Sequence, residues 1–329
     1  MATRPPVADS LQDLIGETPL LRLRLPGARP GTTVLAKLEA ANPLSSVKDR
    51  TALWMLRAAM RCGALPPAGG TVVEATSGNT GIALAALSAS LGHRCIIVLA
   101  DNATPERIAL LRALGAEIVF TPGAEGTRGA IEEAERVHLR TPGSWFARQH
   151  ENDDNVRAHR ESTGPEIWRA TGGRIDTLVC GVGTGGTLTG IAQYLRKQAP
   201  GIRIVAVEPA DSPVLSQGIG GQHRIPGLNG GFVAGTTDVS LIDQVITVSN
   251  GHALNAARAV ARRHGILAGI SAGAAAHACT RLAAQPEYAG RTIVTLFPDS
   301  GERYLSMWDT PAEEDAAPVP AVPAEAGAV

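Results

Sequence analysis

DTLVCGVGTGGTLTGIAQYLRKQ, residues 176–198, holds an apolar run, a glycine-rich turn and a helical pattern in immediate succession. The same pairing recurs on both sides of it. Upstream, TVVEA (71–75) leads into GNTGIALAALSASLG, CIIVLA (95–100) into TPERIALLRALG, and EIVF (117–120) into TRGAIEEAERV. Downstream, IRIVAVE (202–208) follows, and TIVTLF (292–297) precedes a final helix. Strand and helix alternating at roughly 25–35 residues predict an α/β fold with parallel sheets covered by helices on both faces. The polar stretch RQHENDDNVRAHRESTG (148–164) reads as a strand-poor separator between two lobes. Residues 310–329 are rich in Ala, Pro and acids, lack an apolar period, and are predicted to be disordered.

Composition narrows the function classes. Of 329 residues, 44% are hydrophobic and 19% charged, which excludes a wholly disordered chain. A net charge of -1 supplies no global positive field for nucleic acid or an anionic membrane. No run approaches the roughly 18 apolar residues of a bilayer span, and MATRPPVADS has no apolar signal segment. Cys62, Cys95, Cys180 and Cys279 lie far apart without a C-x-x-C pair, the usage expected of a reduced, cytoplasmic protein. No H-E-x-x-H or clustered Cys/His motif occurs, so no metal is expected.

Only three of the 30 basic residues are lysine: Lys37, Lys48 and Lys197. Arginine never deprotonates, so a chain that needs an amine nucleophile must use lysine. Lys197 sits in a helical stretch and carries no signal. Lys37, in the alternating VLAKLEA, is expected to face solvent or an acid. Lys48, in NPLSSVKDR (42–50), falls in the first turn of the helix TALWMLRAAM, with the preceding serines as caps. The helix dipole disfavours an ammonium ion there and lowers its pKa, as a Schiff-base amine requires. The alternative is a surface lysine paired with Asp49.

Three further segments stand out, the first two between a strand and a helix. Gly181-Val182-Gly183-Thr184-Gly185-Gly186-Thr187 can gather backbone N–H groups on an anion. Gly181, Gly183 and Gly186 also spell G-x-G-x-x-G, with Glu208 ending the next strand, so dinucleotide binding stays open beside phosphate-ester binding. Thr76-Ser77-Gly78-Asn79-Thr80-Gly81 makes a second anion nest, sized for a carboxylate, although one such residue would serve as an ordinary N-cap. Gly269-Ile270-Ser271-Ala272-Gly273 matches the serine-hydrolase elbow. That reading fails, because the one histidine downstream, His277, lies on the same predicted helix. Ser271 is then an N-cap or a hydrogen-bonding group aimed into a pocket.

In this order, and together with IGETPLLRL (15–23), STGPEIW (162–168), IPGLNGGFV (225–233) and DSGERYLS (299–306), these segments resemble the pyridoxal-phosphate enzymes of the β family, fold type II. Within it they resemble the cysteine synthases, or O-acetylserine sulfhydrylases, over roughly residues 8–308. The resemblance implies the tryptophan-synthase-β-like fold, two parallel-sheet α/β lobes with the cofactor in the cleft between them. Residues 1–41 and 153–309 would form the larger, cofactor-binding lobe and 42–152 the smaller, mobile, substrate-binding one. It implies that Lys48 forms the Schiff base with pyridoxal 5'-phosphate and later removes the Cα proton. Asn79 would bond the ring hydroxyl, Gly183, Thr184, Gly185, Gly186 and Thr187 would cradle the phosphate, and Ser271 would bond the pyridine nitrogen. Thr76, Ser77, Thr80 and Gln149 would hold the substrate carboxylate, with Gly227 also on the substrate side. The implied reaction makes L-cysteine from O-acetyl-L-serine and sulfide through an aminoacrylate. A homodimer and a serine acetyltransferase partner are implied as well.

The chain departs from the family pattern at Ala103, Asn229 and Ala234, where methionine, glycine and proline are usual. The first two bear on the nucleophile and leaving group, so β-replacement with another nucleophile is the alternative reading. Cystathionine β-synthase is a poorer match, since there is no room for a haem-binding extension. Asn229 is expected to narrow the substrate entrance and to offer a donor to an acetyl group. Arg224 is the one fixed charge in residues 218–232, too little to bind a phosphate leaving group.

Overall fold

The computed structural model describes residues 4, 5 and 7–308. In chain order its main elements are β1 (Leu20–Leu23), β2 (Thr33–Leu38), α1 (Lys48–Arg61), β3 (Thr71–Ala75), α2 (Asn79–Leu91), β4 (Arg94–Ala100) and α3 (Pro105–Ala113). Then come β5 (Glu117–Thr121), α4 (Gly126–Arg140), β6 (Ser144–Phe146), α5 (Asp153–Ala158), α6 (Gly164–Thr171), β7 (Thr177–Gly181) and α7 (Gly186–Gln198). The chain continues through β8 (Arg203–Pro209), β9 (Gln244–Val248), α8 (Asn250–His264), α9 (Ile270–Ala283), β10 (Thr292–Phe297) and α10 (Leu305–Trp308). The 310–329 stretch lies outside the described residues.

The strands form two sheets, ordered β1-β2-β10-β7-β8-β9 and β5-β4-β3-β6. All pairings are parallel except one: β1 runs antiparallel to β2, with Leu20 opposite Lys37 and Leu23 opposite Val34. The parallel sheets are as expected, and β1 alone departs because residues 24–32 are too short a connection to hold a crossover helix. The three-residue β6 is too short to display a period in the sequence.

Both sheets are covered on both faces. In the smaller sheet, Val72, Ile97 and Leu99 pack with α1 and α2 on one side, whereas Val73, Ile96 and Val98 pack with α4 on the other. In the larger sheet, Val179, Val205 and Val207 meet α8 and α9, and Leu178, Ile204 and Ala206 meet α6 and α7. Alternate residues of one strand thus serve opposite cores, which is why these strands read as continuous apolar runs. No helix among the described residues is long and apolar enough to cross a membrane.

The 148–164 stretch is no loose separator. It contains α5, which runs through a π-helical turn (His159–Thr163) into α6. Glu166 on α6 anchors a buried ionic cluster: Arg50 on α1 donates to Glu166 Oε1 and Oε2 at 2.6 and 2.7 Å, and its Nε donates to Glu39 Oε2 at 2.7 Å. Lys37 Nζ donates to Glu166 Oε2 at 2.6 Å. Lys37 is therefore ion-paired as expected, and only 1% exposed. This cluster ties β2, α1 and α6 together two residues past Lys48.

Candidate active site

The loop after β7 and the first turns of α1, α2, α7 and α9 converge on a cavity of about 630 Å³, open mouth included, lined by Lys48, Asn79, Gly183, Thr184, Gly185, Thr187, Gly227, Ser271 and Asp299. A wider cavity shares Lys48, Asn79 and Gly227 and adds Thr76, Ser77, Thr80, Gln149, Arg107 and His150. Residues drawn from six separate sequence motifs are thus neighbours. Gly186 is the exception. It opens α7, but its Cα faces Asn155, where a Cβ would come within 2.4 Å of Oδ1.

Lys48 is the first residue of α1. Val47 is the N-cap, and the Ser46 hydroxyl accepts the Lys48 N–H at 3.2 Å. Burial lowers the Lys48 amine to about 8, opposed by the nearby Asp299 carboxylate. Removal from water, rather than the helix dipole, is the leading cause. Asp49 does not pair with it. Its carboxylate accepts the Leu44 N–H at 2.7 Å and the Ser46 hydroxyl at 3.3 Å, and burial raises it to about 7. The surface-pair reading of Lys48 is thereby excluded.

The glycine loop is shaped by what packs behind it. A Cβ on Gly183 would sit 2.4 Å from the Gly227 carbonyl oxygen, and Gly185, at φ +81°, would drive one to 1.9 Å from Thr237 Oγ1. The Thr184 hydroxyl accepts from Asn155 Nδ2 at 3.0 Å, and the Thr187 hydroxyl lies 3.1 Å from His159 Nε2. Burial, reinforced by Arg50 and Lys48, lowers His159 to about 3, so the ring is neutral.

Ser271 lies inside the first turn of α9, whose N-cap is Gly269, so the capping reading of Ser271 does not hold. Its hydroxyl is buried with no partner among the described residues. An unsatisfied buried hydroxyl costs about 1–3 kcal/mol. A ligand atom with a lone pair at that point would relieve it. Together with an amine and a glycine-rich helix start, this donor set fits pyridoxal phosphate: amine to carbonyl, hydroxyl to ring nitrogen, α7 N-terminus to phosphate.

On the other wall, Thr80 Oγ1 donates to Gln149 Oε1 at 2.6 Å, which brings Gln149 to the 76–80 loop. Glu74 lies beneath both, accepting the Ala75 N–H at 2.9 Å and the Gln149 N–H at 3.2 Å. Its burial raises the carboxyl to about 8. Asn79 Nδ2 donates to Asp299 Oδ2 at 2.7 Å, and Asn79 Oδ1 accepts from Arg303 Nη1.

One expectation about specificity is corrected. Asn229 turns away from the cavity: Oδ1 accepts from Ser212 Oγ at 2.8 Å and Gly231 N at 3.0 Å, and Nδ2 donates to the Ser212 carbonyl at 3.1 Å. It pins the 212 and 231 segments together and neither narrows the entrance nor offers a donor. Arg224 does not line the cavity either. The guanidinium on the wall is that of Arg107, from α3, stacked 5.2 Å from the Tyr304 ring centroid. Ala103 packs against the core around α1 and α2. Asn155, His159, Glu74, Arg107 and His150 had no local signal, because their partners are brought in by the fold. Asp299 and Arg303 lay in a recognisable segment, DSGERYLS, without a readable role.

A site of this make-up on this fold defines a class, and the chain belongs to it: residues 11–299 match the model of the pyridoxal-phosphate dependent enzyme family. It is 44% identical over 307 residues to a cysteine synthase of Staphylococcus aureus, covering 93% of this chain and 97% of that one. Among solved structures, the cysteine synthase of Entamoeba histolytica matches with a TM-score of 0.88 at 40% identity, covering 93% of this chain and 91% of that one. An O-ureido-L-serine synthase matches with 0.87 at 41%, covering 92% and 94%.

Proposed function

We propose that the chain replaces the acetoxy group of O-acetyl-L-serine with sulfide, releasing acetate and forming L-cysteine. The observation that carries this reading is the Lys48 amine, lowered to about 8 by burial, on the shared wall of two adjoining cavities, one lined by the Ser271 hydroxyl, which has no partner among the described residues, and the other by the 76–80 loop. The likeness to cysteine synthases supports the choice of donor and acceptor.

Bound pyridoxal phosphate supplies the electron sink that makes the substrate Cα–H acidic. Lys48 holds the cofactor through its amine and, once displaced, takes the Cα proton and returns it after the Cβ–O bond has broken and the Cβ–S bond has formed. The N–H groups of residues 183–187, with the hydroxyls of Thr184 and Thr187, hold the phosphate. Ser271 would offer the ring nitrogen a neutral partner that, unlike a carboxylate, would not keep it protonated, which would favour prompt loss of the β-substituent. Thr76, Ser77, Thr80 and Gln149 orient the substrate carboxylate, and Gly227 closes the substrate side.

The smaller lobe, 42–152, is proposed to move against 1–41 and 153–309; the whole four-stranded sheet falls within it. A homodimer and a serine acetyltransferase partner are proposed from the family resemblance. A reducing, cytoplasmic setting is proposed from four unpaired cysteines, three of them buried. A second reading, the same elimination followed by a different nucleophile, is favoured by the 41% identity to an O-ureido-L-serine synthase. Product analysis with a panel of O-substituted serines and nucleophiles separates the two. Cysteine from O-acetylserine and sulfide as the fastest product supports the first, and a faster product from another nucleophile replaces it with the second.

A further inference from the structure

We infer that Asp299 and Arg303 are positioning residues that fix the orientation of the Asn79 side-chain amide, leaving one of its N–H groups turned to the cofactor. This rests on the proposed role of Asn79 toward the ring hydroxyl. A primary amide can present either end, and its neighbours decide which. Here a carboxylate oxygen takes one Nδ2 hydrogen at 2.7 Å, and a guanidinium donates to Oδ1. Reversing the amide would set oxygen against carboxylate and NH2 against guanidinium, two repulsive contacts in place of two charge-assisted bonds. One orientation survives, with one N–H that meets no acceptor among the described residues, on a residue that lines the cavity.

The clamp is itself held. Asp299 Oδ2 also accepts from the Tyr304 hydroxyl, and the Asp299 carbonyl takes the Gly269 N–H at 3.1 Å. A side chain at position 269 would collide with Asp299, its Cβ only 1.9 Å from Oδ1. Arg303 donates in addition to the Leu44 carbonyl. Asn79 follows β3 of the smaller sheet, whereas residues 299–303 follow β10 of the larger. The amide orientation therefore depends on the two sheets being in register. A mere tether between sheets would affect any ligand of the cavity alike. A positioning pair acts only through the atom that Asn79 meets.

The test uses the full-length apoprotein and two probes, pyridoxal phosphate and 3-deoxypyridoxal phosphate, which lacks the ring oxygen, with dissociation constants measured by equilibrium dialysis. Asn79→Ala and Asp299→Ala should each weaken pyridoxal phosphate about five- to tenfold and leave the deoxy analogue unchanged. The double variant should be no weaker than either single one. Arg303→Met, a half-buried position that spares the core, should give the same pattern, and Arg303→Lys should restore binding. Equal weakening of both probes in the Asp299 and Arg303 variants, with Asn79→Ala still discriminating, overturns the positioning role alone. Failure of Asn79→Ala to discriminate overturns the assigned role of Asn79 and this inference with it.

Discussion

Lys48 shows how much one residue's surroundings decide. The chain has two other lysines, but Lys37 is locked to Glu166 at 2.6 Å, and Lys197 is exposed on α7. Of the three, only Lys48 lines the cavity, half-buried and without a direct ion pair among the described residues. Borohydride reduction of the cofactor-loaded protein should fix the label on Lys48, and Lys48→Ala should abolish both label and turnover. A label on Lys37 or Lys197 would contradict the assignment. The pH dependence follows from the sign of the shift. Burial disfavours the ammonium form, so the nucleophilic amine predominates above about 8 instead of above 10.5. The rate at which apoprotein takes up pyridoxal phosphate should therefore rise with pH and level off just above 8, measured by absorbance. A rise delayed to pH 10 would mean an exposed amine. That Lys48 lines the cavity was legible once its motif was set beside the others in the family resemblance, whereas lysine scarcity alone left a surface pair with Asp49 open. The cause of its shift was not legible, because the helix dipole is a local feature and burial is not.

At the scale of elements, the glycine loop and the helix beside it make a pair that sequence separates. Strand, loop and α7 are contiguous in residues 176–198, so that half was readable. Asn155 and His159, which hold the hydroxyls of Thr184 and Thr187, come from α5 and the π turn, in a stretch whose polarity suggested a separator. Gln149, Asn155, His159 and Thr163 within it are buried and paired, whereas Arg148, Glu151 and Asp153 face solvent, a division that no periodicity reveals. Thr184→Val and Thr187→Val should each weaken pyridoxal phosphate by about 1.5–3 kcal/mol and unphosphorylated pyridoxal much less, because only the former presents charged oxygens. Comparable loss for both ligands in a titration would remove these hydroxyls from the phosphate site.

The ionic cluster between α1 and α6 carries a stability prediction. Glu166→Ala leaves Arg50 and Lys37 buried with too few acceptors and should cost about 3–5 kcal/mol in denaturant unfolding. In the native protein Arg50 foremost, and then Lys37, lower the Glu166 carboxyl to about 2. That stabilisation is complete above the ordinary carboxylate value of 4.5 and is lost as pH falls from there toward 2. The variant's unfolding curve should accordingly converge on that of the wild type in acid. A constant difference from pH 7 to pH 3 would contradict this.

For the whole molecule, the α/β class and the run of buried strands were open to sequence reading because each strand faces two cores and stays apolar throughout. What escaped was long-range: the antiparallel β1, and side chains whose direction a loop sequence does not specify. Asn229 is the instructive case, since an unusual residue at the entrance proved to brace the loop from behind. Arg107 changes the argument about the leaving group without reversing it. A phosphate leaving group is close to a dianion and needs two or more cations, whereas the substrate-side wall offers Arg107 and a Lys48 that is proposed to hold the cofactor. O-acetyl-L-serine should therefore eliminate faster than O-phospho-L-serine in stopped-flow absorbance, and Arg107→Met should slow what reaction the phosphoserine gives. The most direct measurement mixes the pyridoxal-phosphate-loaded protein with O-acetyl-L-serine and sulfide and quantifies the products by mass spectrometry. L-cysteine and acetate in equal amounts, lost in Lys48→Ala, are the predicted result. Consumption of O-acetylserine without cysteine, while another nucleophile gives its β-substituted alanine, would contradict it.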